Sequence, residues 1–204
     1  MAGFAGIAAA GKSIEMLLNS SFEDLQPLDL PGQPPGNKTK AVLVRTPDFD
    51  PDNVSNNIGS PALSIFLYRV DFNRVMRAAW AGTTERDGRA HLGLDLHYLI
   101  TPWAQNAEDE QRILGRAMQC LDSTPILSGP LLDSSGEWDA GEAIQIVLEE
   151  VSNEAVMRMF DSLPTEYRLS VPYVARVMRL DGRVAAPEGP VITAITGIAA
   201  STKL

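Results

Sequence analysis

Leu92-Gly-Leu-Asp-Leu-His-Tyr-Leu-Ile-Thr101 alternates apolar and polar residues. Leu92, Leu94, Leu96 and Tyr98 fall on one side, and His91, Asp95 and His97 on the other. Successive side chains of an extended chain point to opposite faces, so this stretch predicts a strand with one apolar and one polar face. Upstream, Pro61–Val70 (PALSIFLYRV) reads as another strand, with Leu63, Ile65 and Leu67 on one face. Asn73–Trp80 continues the extended run past a bend, and Thr83–Arg89 (TTERDGR) holds the turn dipeptide Asp87-Gly88. Two such strands joined by such a turn predict an antiparallel pair.

Working outward, Pro102 closes the strand, and Glu108–Leu121 follows as a helix. Ile113, Leu114, Ala117, Met118 and Leu121 make its apolar stripe, and Glu108, Asp109 and Glu110 sit in the first turn, where the helix dipole favours acids. Towards the N-terminus, Phe4–Asn19 has helical spacing in Ile7, Ile14, Leu17 and Leu18. A Pro- and Gly-dense loop covers about 27–40, Ala41–Arg45 is a short strand, and Pro47–Pro61 is loop-like. Beyond the central helix, Ser123–Glu137 reads as loop, Ala143–Glu150 as strand, and Asn153–Leu163 as a helix capped by Ser152. Tyr167–Leu180 is a long strand in which Pro172 requires an edge or a bulge. Asp181-Gly182 is a second turn signal, and Val191–Ala199 (VITAITGIA) is a final apolar strand. Strands cluster as hairpins with two or three helices between them. The fold class is therefore α+β, a mostly antiparallel mixed sheet packed with helices, and not a doubly wound alternation. Residues 1–204 form a single domain, with a C-terminal strand or arm at about 187–204.

Composition narrows the function. The 204 residues are 45% hydrophobic and 21% charged, near the globular average. A net charge of −9 argues against nucleic acid, whose phosphates require clustered Lys and Arg, and against anionic lipid. No apolar run approaches the roughly 20 residues of a membrane span. One cysteine, Cys120, excludes an intramolecular disulfide and a Cys-rich zinc site. No basic region precedes the small apolar N-terminus, so a secretory signal is not expected, and synthesis in a reducing cytoplasm is.

Four groupings imitate chemistry. Gly6-Ile-Ala-Ala-Ala-Gly11-Lys12-Ser13 matches G-x-x-x-x-G-K-[ST], but only five residues precede it, too few for the strand a phosphate-binding loop needs. Asp48-Phe-Asp50-Pro-Asp52-Asn53 imitates an EF-hand start, but Gly59 stands where the bidentate Glu belongs. His91, Asp95 and His97 share a face, yet His91 and His97 lie about 20 Å apart along a strand, too far for one metal. Glu149, Glu150 and Glu154 cluster at a strand–helix junction and read as a solvated face. Cys120 lies beside an apolar stripe with no histidine near it in sequence. Arg168, Arg176 and Arg179 remain, able to bind acidic groups of a neighbour or to make surface ion pairs. No catalyst, metal or cofactor is expected.

Taken in order, Leu67-Tyr-Arg-Val-Asp-Phe-Asn-Arg74, Leu94-Asp-Leu-His-Tyr-Leu-Ile-Thr101, Asp109-Glu-Gln-Arg-Ile-Leu-Gly-Arg-Ala-Met118 and Leu163-Pro-Thr-Glu-Tyr-Arg-Leu-Ser-Val-Pro-Tyr173 resemble one family. It is the cap, or tail-terminator, proteins of extracellular contractile injection systems, which include the caps of the antifeeding prophage and the Photorhabdus virulence cassettes. The resemblance implies a fold like that of phage tail terminators. It implies a non-enzymatic ring of six copies at the distal end of a phage-tail-like particle, stopping growth of the inner tube and sheath. The partners it implies are further copies of the chain and the sheath and tube proteins, in a particle assembled in the cytoplasm. Arg168, Arg176 and Arg179, with Val191, Ile192 and Ile195 of the last strand, are the candidate interface residues. That strand either joins a neighbour's sheet or edges its own. A small-ligand or peptide-binding domain, or a P-loop-type nucleotide binder, is the competing function.

Overall fold

The computed structural model describes residues 2–24, 38–76 and 91–181. In chain order the elements are α1 (Gly6–Asp24), β1 (Lys40–Val44), α2 (Pro51–Asn57), β2 (Ala62–Phe72), β3 (His91–Trp103), α3 (Ala107–Ser123), β4 (Ile126–Ser128), β5 (Ala143–Leu148), α4 (Asn153–Asp161) and β6 (Val171–Asp181). The strands make one six-stranded sheet in the order β1-β2-β3-β6-β5-β4. β1 and β2 run parallel and every other pair is antiparallel. The expected α+β class and mixed sheet are what the chain forms.

Alternation along β3 sets both faces. Leu94, Leu96, Tyr98 and Ile100 join Leu63 and Ile65 of β2 and Ile144 and Ile146 of β5 against one layer of helices. That layer is Ile14, Leu18 and Phe22 of α1 with Ile113, Leu114, Ala117 and Leu121 of α3. Each such buried aliphatic side chain contributes about 1.5–3 kcal/mol relative to its exposed state. α3 starts at Asn106, whose Oδ1 accepts the Asp109 N–H at 2.9 Å, and Glu108, Asp109 and Glu110 fill its first turn. Cys120 is buried as a free thiol on the same side of α3.

A second core covers part of the opposite face. Phe49, Ile58, Ala62, Leu99 and Trp103 pack there with Val156, Phe160 and Leu163 from α4 and its end. The remainder of that face carries the polar side of the sheet.

Four expectations are corrected. Pro47–Pro61 is not loop: it holds a 3-10 turn at Thr46–Phe49 and α2. The Asp and Pro residues read as loop-formers are helix-start residues, with Asp50 accepting the Asp52 N–H at 3.0 Å and Pro51 opening the helix. Ser123–Glu137 contains β4, too short to show alternation. The strand placed at Tyr167–Leu180 begins only at Val171, because the residues before it cross to α3 and β3 through Arg168. β2 ends at Phe72, and Arg74–Met76 turn helically because Asn73 Oδ1 accepts the Met76 N–H at 3.0 Å. The helix over Asn153–Asp161, capped by Ser152, lies where expected. The Asp87-Gly88 turn, the Pro-rich loop centre and the Val191–Ala199 strand lie outside the described residues.

Candidate assembly surfaces

The phosphate-loop imitation is the start of α1. The helix begins at Gly6 itself, and the described residues before it, 2–5, form no strand. Its glycines serve packing. A Cβ at Gly11 would meet Leu43 Cδ2 at 3.0 Å and the Tyr98 hydroxyl at 3.5 Å, and one at Gly6 would meet Ala2 Cβ at 3.0 Å. Lys12 is exposed. Ser13 donates to the Ala9 carbonyl at 2.7 Å and accepts the Asp133 N–H at 2.8 Å. The EF-hand imitation is equally consumed by local structure. Asp48 accepts the Arg45 N–H at 2.9 Å and the Asn57 side-chain amide at 2.7 Å. Among the described residues no three His, Cys, Asp or Glu are grouped to hold a metal ion. No described helix is long and apolar enough to cross a membrane.

His91, Asp95 and His97 do share the polar face, but each has different neighbours. His97 is buried at the centre of a network that joins β2, β3 and the end of β5. Its Nδ1 lies 2.9 Å from Glu149 Oε1, and its Nε2 3.4 Å from Asp71. Arg69 reaches Asp71 at 2.9 Å and Glu149 at 3.2 Å, and Tyr68 donates its hydroxyl to Glu149 at 2.8 Å. A bulge between Leu67 and Arg69 makes this possible. The extra residue turns Tyr68 and Arg69 to the same side, where strict alternation would separate them. Burial, followed by the hydrogen bond to Glu149 and its charge, pushes the Tyr68 phenol well above its ordinary range. Every member of the network is held by another, so its role is to tie three strands together. Glu149, expected on a solvated face, is its hub. Sequence held no signal for this, because Glu149 is 52 residues from His97 and 80 from Arg69.

His91 sits at the far end of the same face, its Nδ1 2.5 Å from Asp181 Oδ1. Arg179 Nε donates to the same carboxylate at 2.8 Å. Burial raises the affinity of Asp181 for a proton. Hydrogen bonds from Arg179 and His91 outweigh it and hold the carboxyl below its ordinary range. Asp95 accepts the Asn73 amide at 3.1 Å.

Of the three arginines set aside as interface candidates, two are engaged within the chain. Arg168 stacks 4.2 Å from the Trp103 ring centroid and donates to Glu110 at 3.2 Å. Arg179 holds Asp181. Arg176 is exposed on the polar face opposite Gln145. Val191, Ile192 and Ile195 lie outside the described residues.

The two edges of the sheet differ sharply. At β1, Asn19 of α1 donates its amide to the Ala41 carbonyl at 3.0 Å and accepts the Ala41 N–H at 2.9 Å. Glu15, one turn earlier, accepts the Leu43 N–H at 3.2 Å. Four helical residues rise about 6 Å and two strand residues about 6.6 Å, so the two side chains match alternate outward-facing backbone groups. Helix side chains thus seal this edge. At the other edge, β4 covers only Ala143–Gln145 of β5, with Pro125 accepting the Ile146 N–H at 2.7 Å. Glu149 donates its N–H to Pro172 of β6 at 3.0 Å. By alternation the Leu148 N–H and carbonyl point away from β6, past the end of β4. Beside this overhang lies a groove of about 510 Å³ lined by Met118, Leu121, Asp122, Ile146, Leu148 and Tyr173. A second, of about 450 Å³, runs past Leu148, Glu149, Val151, Tyr167 and Pro172.

A family model described as the Pvc16 N-terminal domain matches residues 10–194. No curated protein sequence is significantly similar to the chain. Solved structures share its fold, two of them terminators. One is the sheath/tube terminator of the PVC extracellular contractile injection system in its extended state, at 17% identity and a TM-score of 0.52, over 94% of this chain and 64% of that one. The other is the anti-feeding prophage tube-terminating cap, at 15% identity and a TM-score of 0.55, over 95% of this chain and 60% of that one. The chain thus spans about three fifths of the length of the terminators it resembles.

Proposed function

Because the chain belongs to the Pvc16 N-terminal domain family, we propose that it is a structural cap of a contractile injection system. The cap closes the distal end of the inner tube and sheath as a ring of six copies, without catalysis and without a cofactor. The observation that carries this reading is a fold shared with two terminators over more than nine tenths of the chain. Its partners are further copies of itself and the last layer of tube and sheath subunits, in a phage-tail-like particle.

One physical feature supports this reading. A ring closes when one surface of a subunit fits a different surface of the next. A sheet sealed at β1 and open at β5 offers that asymmetry. Arg176, exposed on the polar face, and the apolar Val191, Ile192 and Ile195 are the residues assigned to contacts with neighbours. Arg168 and Arg179 instead shape the surface by fixing the segment before β6 and the end of β6. Labelling a tagged chain with gold in lysate of the producing cell tests the role by electron microscopy. Label at one end of each particle is expected. Particles without it, or label along their length, would refute the cap role.

A further inference from the structure

We propose that the overhang of β5, at Val147–Leu148, is an acceptor edge that takes residues 191–199 of a second copy of this chain as an added strand. The inference rests on the reading of the chain as an assembly subunit. An unpaired edge is ordinarily guarded by Lys, Pro or a covering element, and the β1 edge is guarded in that way by Asn19 and Glu15. Among the described residues the β5 overhang carries none of these guards. Leu148 is half exposed, its outward backbone groups have no partner among the described residues, and a mainly apolar groove and a mixed polar one flank it.

Charge selects the occupant. Asp122 and Glu150 border the overhang. Two copies meeting edge to edge would bring these acids together, which opposes a symmetric β5–β5 contact. An uncharged strand escapes that repulsion. From Gly189 to Thr202 the chain carries no charged residue, and it alternates β-formers at Val191, Thr193 and Ile195. Lys203 follows, a cation to set beside the acidic rim. Main-chain bonds to Leu148 supply affinity, and alternate side chains entering the groove supply register.

The same chain reaches its own overhang only with its connection close to fully extended. The overhang lies opposite Tyr173, eight residues up β6 from Asp181. That is about 26 Å along the strand and roughly 10 Å across two strand spacings. The connection from Asp181 to Val191 spans at most about 34 Å fully extended, and to reach its own overhang it has to travel around β4 over the surface.

Crosslinking in the full chain tests the proposal. Cys120→Ser removes the native thiol. One such chain then carries Leu148→Cys and another Ile195→Cys, and a short bismaleimide joins them after mixing. A heterodimer at least tenfold more abundant than with Lys40→Cys on the sealed edge is expected. Equal yields at the two edges, or none, would overturn the proposal. So would crosslinking confined to single chains that carry both cysteines, which places the strand on its own sheet. Leu148→Pro is the second arm, since its N–H is not used in the β5–β6 ladder and proline is tolerated at such an edge position. Loss of self-association in sedimentation, with unchanged circular dichroism, is expected. Folded Leu148→Pro that still associates would overturn the proposal, and if this variant does not fold the crosslinking arm decides. The cap role stands apart: chains that join at this edge but are absent from particle ends refute the cap and leave the edge contact. Capped particles with no edge crosslink do the reverse.

Discussion

Asn19→Ala removes the side chain that seals the β1 edge. Two hydrogen bonds vanish together, at 3.0 and 2.9 Å, and both Ala41 backbone groups lose their partner. Ala41 is only 3% exposed, so water replaces Asn19 poorly. Each bond is worth about 1 kcal/mol net, with more lost where a buried group stays unsatisfied. Alanine returns roughly 0.6 kcal/mol of helix propensity at a helical position. The balance is a loss of about 1.5–2.5 kcal/mol, which for a chain of this size lowers Tm by about 4–8 °C. Hydrogen exchange at the Ala41 amide quickens about tenfold for each 1.4 kcal/mol of local protection lost. Glu15→Ala is the internal comparison. It removes one longer bond, at 3.2 Å to Leu43, and is expected to cost about half as much. Opening this edge also exposes unpaired strand groups, so higher aggregates are expected in sedimentation. A Tm unchanged by Asn19→Ala, with the Ala41 amide exchanging as slowly as before, would show that the edge is held by something else.

Tyr98→Phe is expected to stabilise the fold by about 1 kcal/mol in urea unfolding, because burial pushes its phenol far up and the hydroxyl has no partner among the described residues. A loss of stability instead would reveal a hidden partner. Leu114→Asp puts an unpaired charge between α3 and the sheet, where Leu114 is 6% exposed, and is expected to cost several kcal/mol, about 3 or more, with loss of folded signal in circular dichroism. A folded variant that only fails to associate would make this stripe an interface. The depressed Asp181 carboxyl gives a pH signature. Its contribution is fully present above the unfolded value of about 3.9 and is lost as pH falls through the lower folded value. Stability of wild type and Asp181→Asn should therefore differ by a constant amount above pH about 5 and converge in acid; a gap that widens in acid contradicts the assignment. Lys12→Ala should leave folding and self-association unchanged, and ATP binding that this variant abolishes would restore a phosphate role to the start of α1.

Period-two alternation in β2 and β3, the α3 stripe with its acidic first turn, and Ser152 as a cap are local features, and each could be read from neighbouring residues. The phosphate-loop imitation is local too: Gly6 to Ser13 lie within the first helix. Quoted motifs in order were enough to point to the cap family, and the fold agrees. Local reading failed where one residue type serves two structures. The Asp and Pro residues at 47–53 suit a loop and a helix start alike, and the buried Phe49 and Ile58 decided for α2. Long-range pairings were beyond it altogether. Asn19 meets Ala41, Arg168 meets Trp103, and Glu149 gathers Tyr68, Arg69 and His97 only after the sheet has set their order and a bulge has turned two adjacent side chains to one face. Which edge is sealed and which is left open depends on where α1 lies and on how short β4 is. Those are properties of packing in three dimensions: backbone periodicity fixes the direction of a side chain, but only the neighbouring element determines what it meets.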